Sequence, residues 1–188
     1  MDTLIDYDQQ LFLYFNGLGS QSYDAFWMFM TNKWASIPLY VFLLILCIRT
    51  LKWKKTLVLL VIVALMIGVT DQLANAFKYG FERLRPCHEE NIIPYMRLVK
   101  SYCGGQFGYF SAHASNSLAV VTFFSILLSK NYKWLPFLLV IWGITVAYSR
   151  IYIGVHYPLD VITGMSIGII LGFFFSKLFR FILKRFSI

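Results

Sequence analysis

The feature that most limits what this chain can become is a set of apolar runs, each close to the length of a bilayer crossing. Four stand out, at Leu57–Ala76, His113–Ser129, Trp134–Ser149 and Val161–Phe181. A fifth, Trp34–Ile48, is short but extends upstream through Phe26–Met30. About 20 apolar residues carry an α-helix across hydrocarbon, whereas a spanning strand needs only about 9–11, alternating in polarity. The runs are too long and too continuous for strands. Composition agrees, with 59% of the 188 residues hydrophobic and 14% charged, against about a quarter charged in soluble domains. The expectation is an all-α, polytopic membrane helix bundle with about five transmembrane helices, in a single domain over 1–188.

Charge sets the expected orientation. The connections Arg49–Lys55, Lys130–Lys133 and Lys177–Arg185 hold ten of the 17 Lys and Arg and no acid. With five spans these connections share one side, which the positive-inside rule makes cytoplasmic. The N-terminus carries Asp2, Asp6 and Asp8 and no basic residue before Lys33, so it is expected outside. It lacks the basic start of a signal peptide. Leu4–Leu18 mixes Leu, Phe and Tyr with Asp and Gln and reads as an interfacial amphipathic helix. Residues 1–32 thus form an outer, interfacial segment, 57–181 the main helical core, and 79–110 a long outer loop with Pro86, Pro94, Gly104 and Gly105. Gly164, Gly168 and Gly172 recur every four residues, a spacing that suits close helix packing. Cys87 and Cys103 both fall in the outer loop, where a disulfide is favoured over a metal site because no paired C-x2-C spacing is present. Two free thiols are the alternative.

This topology gathers distant polar residues at the outer face. Lys78 and Arg85 follow the second span, Ser111 and His113 open the third, and Arg150, His156 and Asp160 link the fourth to the fifth. A group of Lys and Arg there suits an anion with several oxygens, such as phosphate. Ser111-Ala112-His113 opens a helix, whose free N–H groups and positive dipole end favour an anion. Pro158 suits the first turn of the last helix, which puts Asp160 near its N-terminus, able to accept a hydrogen bond from His156. A histidine oriented in this way serves as nucleophile or as general base. Arg83 reads as structural or as a surface residue. Asp71, two turns before Lys78, reads as support for the site, with Asn75, Asn116 or a site cation as partner.

Three stretches carry a resemblance. KYGFERLRP (78–86) fits K-x6-R-P, SRIYIGVHYPLD (149–160) fits S-R-x5-H-x3-D, and FSAH (110–113) is similar to the P-S-G-H between them. Together they resemble the three-part signature of the type-2 phosphatidic acid phosphatase family, which includes the vanadium haloperoxidases. Phe110 and Ala112 depart from the middle motif. The resemblance implies that His156 attacks phosphorus to give a phosphohistidine, that Asp160 fixes its tautomer, and that His113 protonates the leaving oxygen. It makes Lys78, Arg85, Arg150, Ser111 and the amides near Ala112 the phosphate-binding set. No metal and no cofactor are expected, because three cations neutralise the phosphate. The compact layout is similar to the bacitracin-resistance type of undecaprenyl-diphosphatase, so undecaprenyl diphosphate is the expected substrate. Phosphatidylglycerol phosphate, phosphatidic acid and lipid A stay open, because the motifs read the phosphoryl group and not the lipid.

Other classes fit less well. The net charge of +8 invites a nucleic-acid partner, but most of the basic residues flank spans. A transporter or channel would place polar residues near mid-membrane, commonly with internal repeats. The expected partners are a lipid phosphate and the bilayer.

Overall fold

A computed structural model describes residues 2–187. Its regular structure is helical, in six α-helices: α1 (Asp2–Gly17), α2 (Gln21–Thr31), α3 (Ile37–Phe81), α4 (Ala112–Leu128), α5 (Leu135–Tyr152) and α6 (Pro158–Arg185). Among the described residues the only β pairing outside them is an isolated bridge between Leu84 and Phe107. Three helical stretches are long and apolar enough to cross a membrane: Lys33–Phe81, Leu135–Tyr152 and Pro158–Arg185. The apolar α4 is shorter, at 17 residues.

Two boundaries differ from expectation. The run Trp34–Ile48 does not extend upstream through Phe26–Met30, because Asn32 is extended (φ −77°, ψ 122°) and ends α2. Its side chain accepts the Trp34 N–H at 3.0 Å, a local bond that competes with helix continuation. A 3-10 turn at Lys33–Ser36 follows, and Pro38, lacking an N–H, sits in the first turn of α3. The basic stretch Arg49–Lys55 is not a loop either. It narrows to a single break at Lys52 (φ 64°, ψ 167°) inside α3, and Leu43 before the break and Leu59 after it line the same cavity.

Packing is tightest between α4 and α6. The expected glycine stripe faces α4, and a Cβ at Gly164 would come within 2.5 Å of the Ser111 carbonyl oxygen. At Gly172 it would meet the Ala119 carbonyl at the same distance. Without side chains there, the two backbones approach closely. This contact sets the start of α4 beside the start of α6.

The helix order places the end of α3, the start of α4, the end of α5 and the start of α6 together. Lys52, the α4–α5 turn and the end of α6 lie at the opposite end, with the basic residues. The buried side of α1 is Asp8, Phe12 and Asn16, one every fourth residue, while Leu4, Tyr7, Leu11, Tyr14 and Leu18 are exposed. Asn16 Nδ2 donates to the carbonyls of Ile151 (3.2 Å), Tyr152 (2.9 Å) and Arg97 (3.0 Å), and its Oδ1 accepts the Arg97 N–H at 2.7 Å. One side chain therefore ties α1 to both the end of α5 and the long loop. The loop is further held by an Arg97–Asp24 ion pair at 3.0 Å and by the Cys87–Cys103 disulfide, with Cα atoms 6.0 Å apart.

Candidate active site

Each polar residue of interest stands at a helix end or in a turn that aims it inward. Lys78 is in the last turn of α3, and Arg85 precedes the Pro86–His88 turn. Ser111 is the extended residue before α4 (φ −74°, ψ 106°), with Ala112 and His113 in the first turn. Arg150 lies in the last turn of α5. Beyond it Gly154 takes φ 86°, a value that costs most side chains. A Cβ there would also come within 2.5 Å of the Arg97 carbonyl oxygen. That turn sends the chain back so that His156 enters the interior just ahead of α6.

Lys78, Arg85, Ala112, His113, Arg150 and His156 all line one cavity of about 660 Å³. Its far part is apolar, with Leu43 and Leu59 of α3, Val120 and Phe124 of α4, and Trp142 and Val146 of α5. Polar end and apolar slot together suit a charged head on a lipid tail. Ser111 and Asp160 are fully buried behind the wall. The Ser111 amide is already used, donating to the Asp160 carbonyl at 3.0 Å. The first-turn amides of Ala112 and His113 have no intrahelical acceptor, as at any helix start. The Ser111 hydroxyl is buried without a partner.

His156 is 2% exposed, with Nδ1 3.4 Å from Asp160 Oδ2. Burial, and then the charges of Arg85, Arg150 and Lys78, hold its pKa well below the usual imidazole value. The ring is therefore neutral at physiological pH, with a lone pair free on one nitrogen. Asp160 Oδ2 also accepts the Tyr157 N–H at 3.0 Å, and Oδ1 accepts Arg83 Nη1 at 2.8 Å. Gly108 keeps this corner open, since a Cβ there would meet the Arg85 side chain at 2.9 Å and Asp160 Oδ2 at 3.3 Å.

Several contacts lay outside the sequence reading. Of the two readings of Arg83 the structural one fits, but its partners were not foreseen: its second arm pairs with Asp8 Oδ2 at 2.5 Å, and its guanidinium lies 4.4 Å from the centre of the Tyr157 ring. Arg150 Nη1 donates to the hydroxyl of Thr31, at the end of α2. The one sequence signal for Asp8 was its place in a helical row with Phe12, four residues on, and Asn16, eight residues on. Asp71 accepts from Asn116 Nδ2 at 2.8 Å and lines the cavity, so Asn116 is its partner among those expected.

Comparison with known proteins agrees with the geometry. The model of the PAP2 superfamily matches residues 55–184. A lipid A 4'-phosphatase of Bacteroides thetaiotaomicron is 38% identical over 170 residues, 89% of this chain and 75% of that protein. One from Porphyromonas gingivalis is 33% identical over 189 residues, 98% of this chain and 78% of the relative. An undecaprenyl-diphosphatase of Sulfolobus acidocaldarius is 36% identical over 73% of this chain and 60% of its own length. Among solved structures, a transmembrane PAP2-type phosphatidylglycerolphosphate phosphatase from Bacillus subtilis superposes with a TM-score of 0.74 at 23% identity. It covers 99% of this chain and 90% of its own. LpxE of Aquifex aeolicus superposes at 0.68 with 25% identity, over 89% of this chain and 93% of its own.

Proposed function

The chain belongs to the PAP2 superfamily and is a membrane lipid phosphatase; from that premise we propose that it removes a phosphate monoester from lipid A. One observation carries this choice. The lipid A 4'-phosphatases align over 89% and 98% of the chain, whereas the undecaprenyl-diphosphatase aligns over 73%. Undecaprenyl diphosphate, expected from the compact layout, thus becomes the second reading. What still favours it is the group of three cations, which would also neutralise a diphosphate.

The chemistry follows from the positions of the residues. Lys78, Arg85 and Arg150, with the free first-turn amides of Ala112 and His113, hold the phosphoryl oxygens and offset the charge that develops on them. The His156 Nε2 lone pair forms the N–P bond. The P–O bond breaks, its electrons pass to the lipid oxygen, and His113, held protonated by the negative charge of the bound phosphate, supplies the proton. Asp160 offsets the positive charge left on the phosphorylated ring. Water then attacks phosphorus and gives a proton back to His113, and the N–P bond breaks to free phosphate and His156. Metal is not needed for any of these roles. The positive-inside rule puts the site on the outer face, with five crossings supplied by the two arms of α3 and by α4, α5 and α6. Residues 57–181 form the catalytic core, with 1–32 applied to its outer end.

Purified protein in mixed micelles, given lipid A, undecaprenyl diphosphate and phosphatidylglycerol phosphate side by side, tests the reading. Lipid A is expected to win in kcat/KM by at least roughly tenfold, a difference of about 1.4 kcal/mol in transition-state binding. Activity is expected to survive excess EDTA. A preference for undecaprenyl diphosphate would favour the second reading, and a strict Mg²⁺ requirement would overturn the metal-free one.

A further inference from the structure

Helix α1 reaches the reacting histidine through a continuous chain of polar contacts. Asp8 Oδ2 lies 2.5 Å from Arg83 Nη2, Arg83 Nη1 lies 2.8 Å from Asp160 Oδ1, and Asp160 Oδ2 lies 3.4 Å from His156 Nδ1. The chain is shielded from water, with side-chain exposures of 6% for Asp8, 18% for Arg83, 0% for Asp160 and 3% for His156. The other Asp8 oxygen accepts the Leu159 N–H at 2.8 Å, in the first turn of α6. Asp8 therefore holds two fixed contacts, one on the guanidinium and one on the helix that carries Asp160.

We propose that Asp8 is a positioning residue for His156, acting through Arg83 and Asp160. The proposal rests on the reading of His156 as the nucleophile. Its basis is charge. Arg83 paired with Asp160 alone would be a neutral unit, and His156 would face Lys78, Arg85 and Arg150 with no net anion behind it. Bond formation to phosphorus makes the imidazole cationic, the charge state those three cations disfavour most. With Asp8 on its other arm, Arg83 is shared between two carboxylates, and the set keeps a net negative charge next to the ring. Arg83 also has its direction fixed from both ends, which fixes the Asp160 oxygen that meets Nδ1. Burial works against the Arg83 charge, but Asp160 and Asp8 more than offset this and hold its pKa above the ordinary value. A third group that orients the base or nucleophile is a general part of such sites; here the orienting carboxylate is itself oriented.

Asp8→Asn separates charge from shape, because the amide oxygen can still accept from Leu159. The useful readout is the inhibition constant for vanadate divided by that for inorganic phosphate. Vanadate takes up the nucleophile to become five-coordinate, whereas phosphate needs only the cations. The ratio does not depend on what fraction of the protein is folded. Removing an acid near an anion site should by itself tighten both inhibitors. The proposal instead expects vanadate to weaken and the ratio to rise by roughly ten- to a hundredfold, the range seen when carboxylates behind metal-bound histidines are removed. kcat should fall by a similar factor with KM nearly unchanged, and Asp8→Glu should recover part of both. An unchanged ratio in Asp8→Asn, or in Arg83→Lys if the first variant does not fold, overturns the proposal. His156→Ala is assayed alongside. Turnover in that variant would instead refute the nucleophile reading, while a dead His156→Ala with a normal Asp8→Asn would refute the Asp8 role alone.

Discussion

His156→Ala is expected to lower turnover by about four orders of magnitude or more, the scale on which removal of a covalent nucleophile acts. The argument begins with protonation. His156 is 2% exposed and sits among three cations, so its imidazole is neutral and keeps a lone pair for phosphorus. Asp160 at 3.4 Å holds the other ring nitrogen. Alanine removes the attacking atom and leaves the cations in place, so phosphate and substrate should still bind. The expected signature is a collapse of kcat with KM within a fewfold of the parent. Phosphate release from micellar lipid A measures it, on protein shown by thermal unfolding to be folded. Turnover near the parent level would remove His156 from the mechanism.

Arg150→Met is expected to lower kcat by about 10³-fold and at the same time to raise thermal stability. Arg150 is 5% exposed and forms no ion pair among the described residues. Its protein contact is the Thr31 hydroxyl, and its Nε has no partner. A cation in that state destabilises the empty fold, because burial removes its water and no acid replaces it. Bound phosphate supplies the missing anion. A methionine of similar reach relieves the burden, while the phosphoryl oxygens lose a fixed donor, a loss worth about 10²–10³ or more in rate. Arg150→Lys keeps the charge but not the fork, and should recover little. Thermal unfolding with and without inorganic phosphate checks both halves. The parent should gain more from phosphate than Arg150→Met does, and equal gains would contradict the role given to Arg150.

Much of this site was legible from local sequence. Apolar runs of bilayer length announced the helices, and residues at the ends of those runs had to meet once the helices packed antiparallel. Lys78, Arg85, His113, Arg150 and His156 were located in this way, and the structure puts all five on one cavity. The parts that were not legible are contacts between segments with no shared pattern. Asp8 meets Leu159 across 151 residues, and an acid in an amphipathic helix reads as a solvated face until its partner is placed. Thr31 is similar, an ordinary residue at a helix end until Arg150 reaches it. The α2–α3 boundary was missed because hydrophobicity continues across Asn32 even though the backbone does not. The lipid was the least legible feature, because three motifs built around a phosphoryl group say nothing about what the phosphate is attached to. The shift from undecaprenyl diphosphate to lipid A came from relatives aligned over nearly the whole chain.

The central claim, a lipid phosphate hydrolysed through His156, is tested most directly by trapping the phosphorylated enzyme. Purified protein is mixed with lipid A labelled in its phosphate, quenched within one turnover, and mapped by peptide mass spectrometry at alkaline pH, where phosphohistidine survives. The account predicts label on the peptide that contains His156, lost in His156→Ala. Label on any other residue, or full turnover with no label on protein at any quench time, would contradict it.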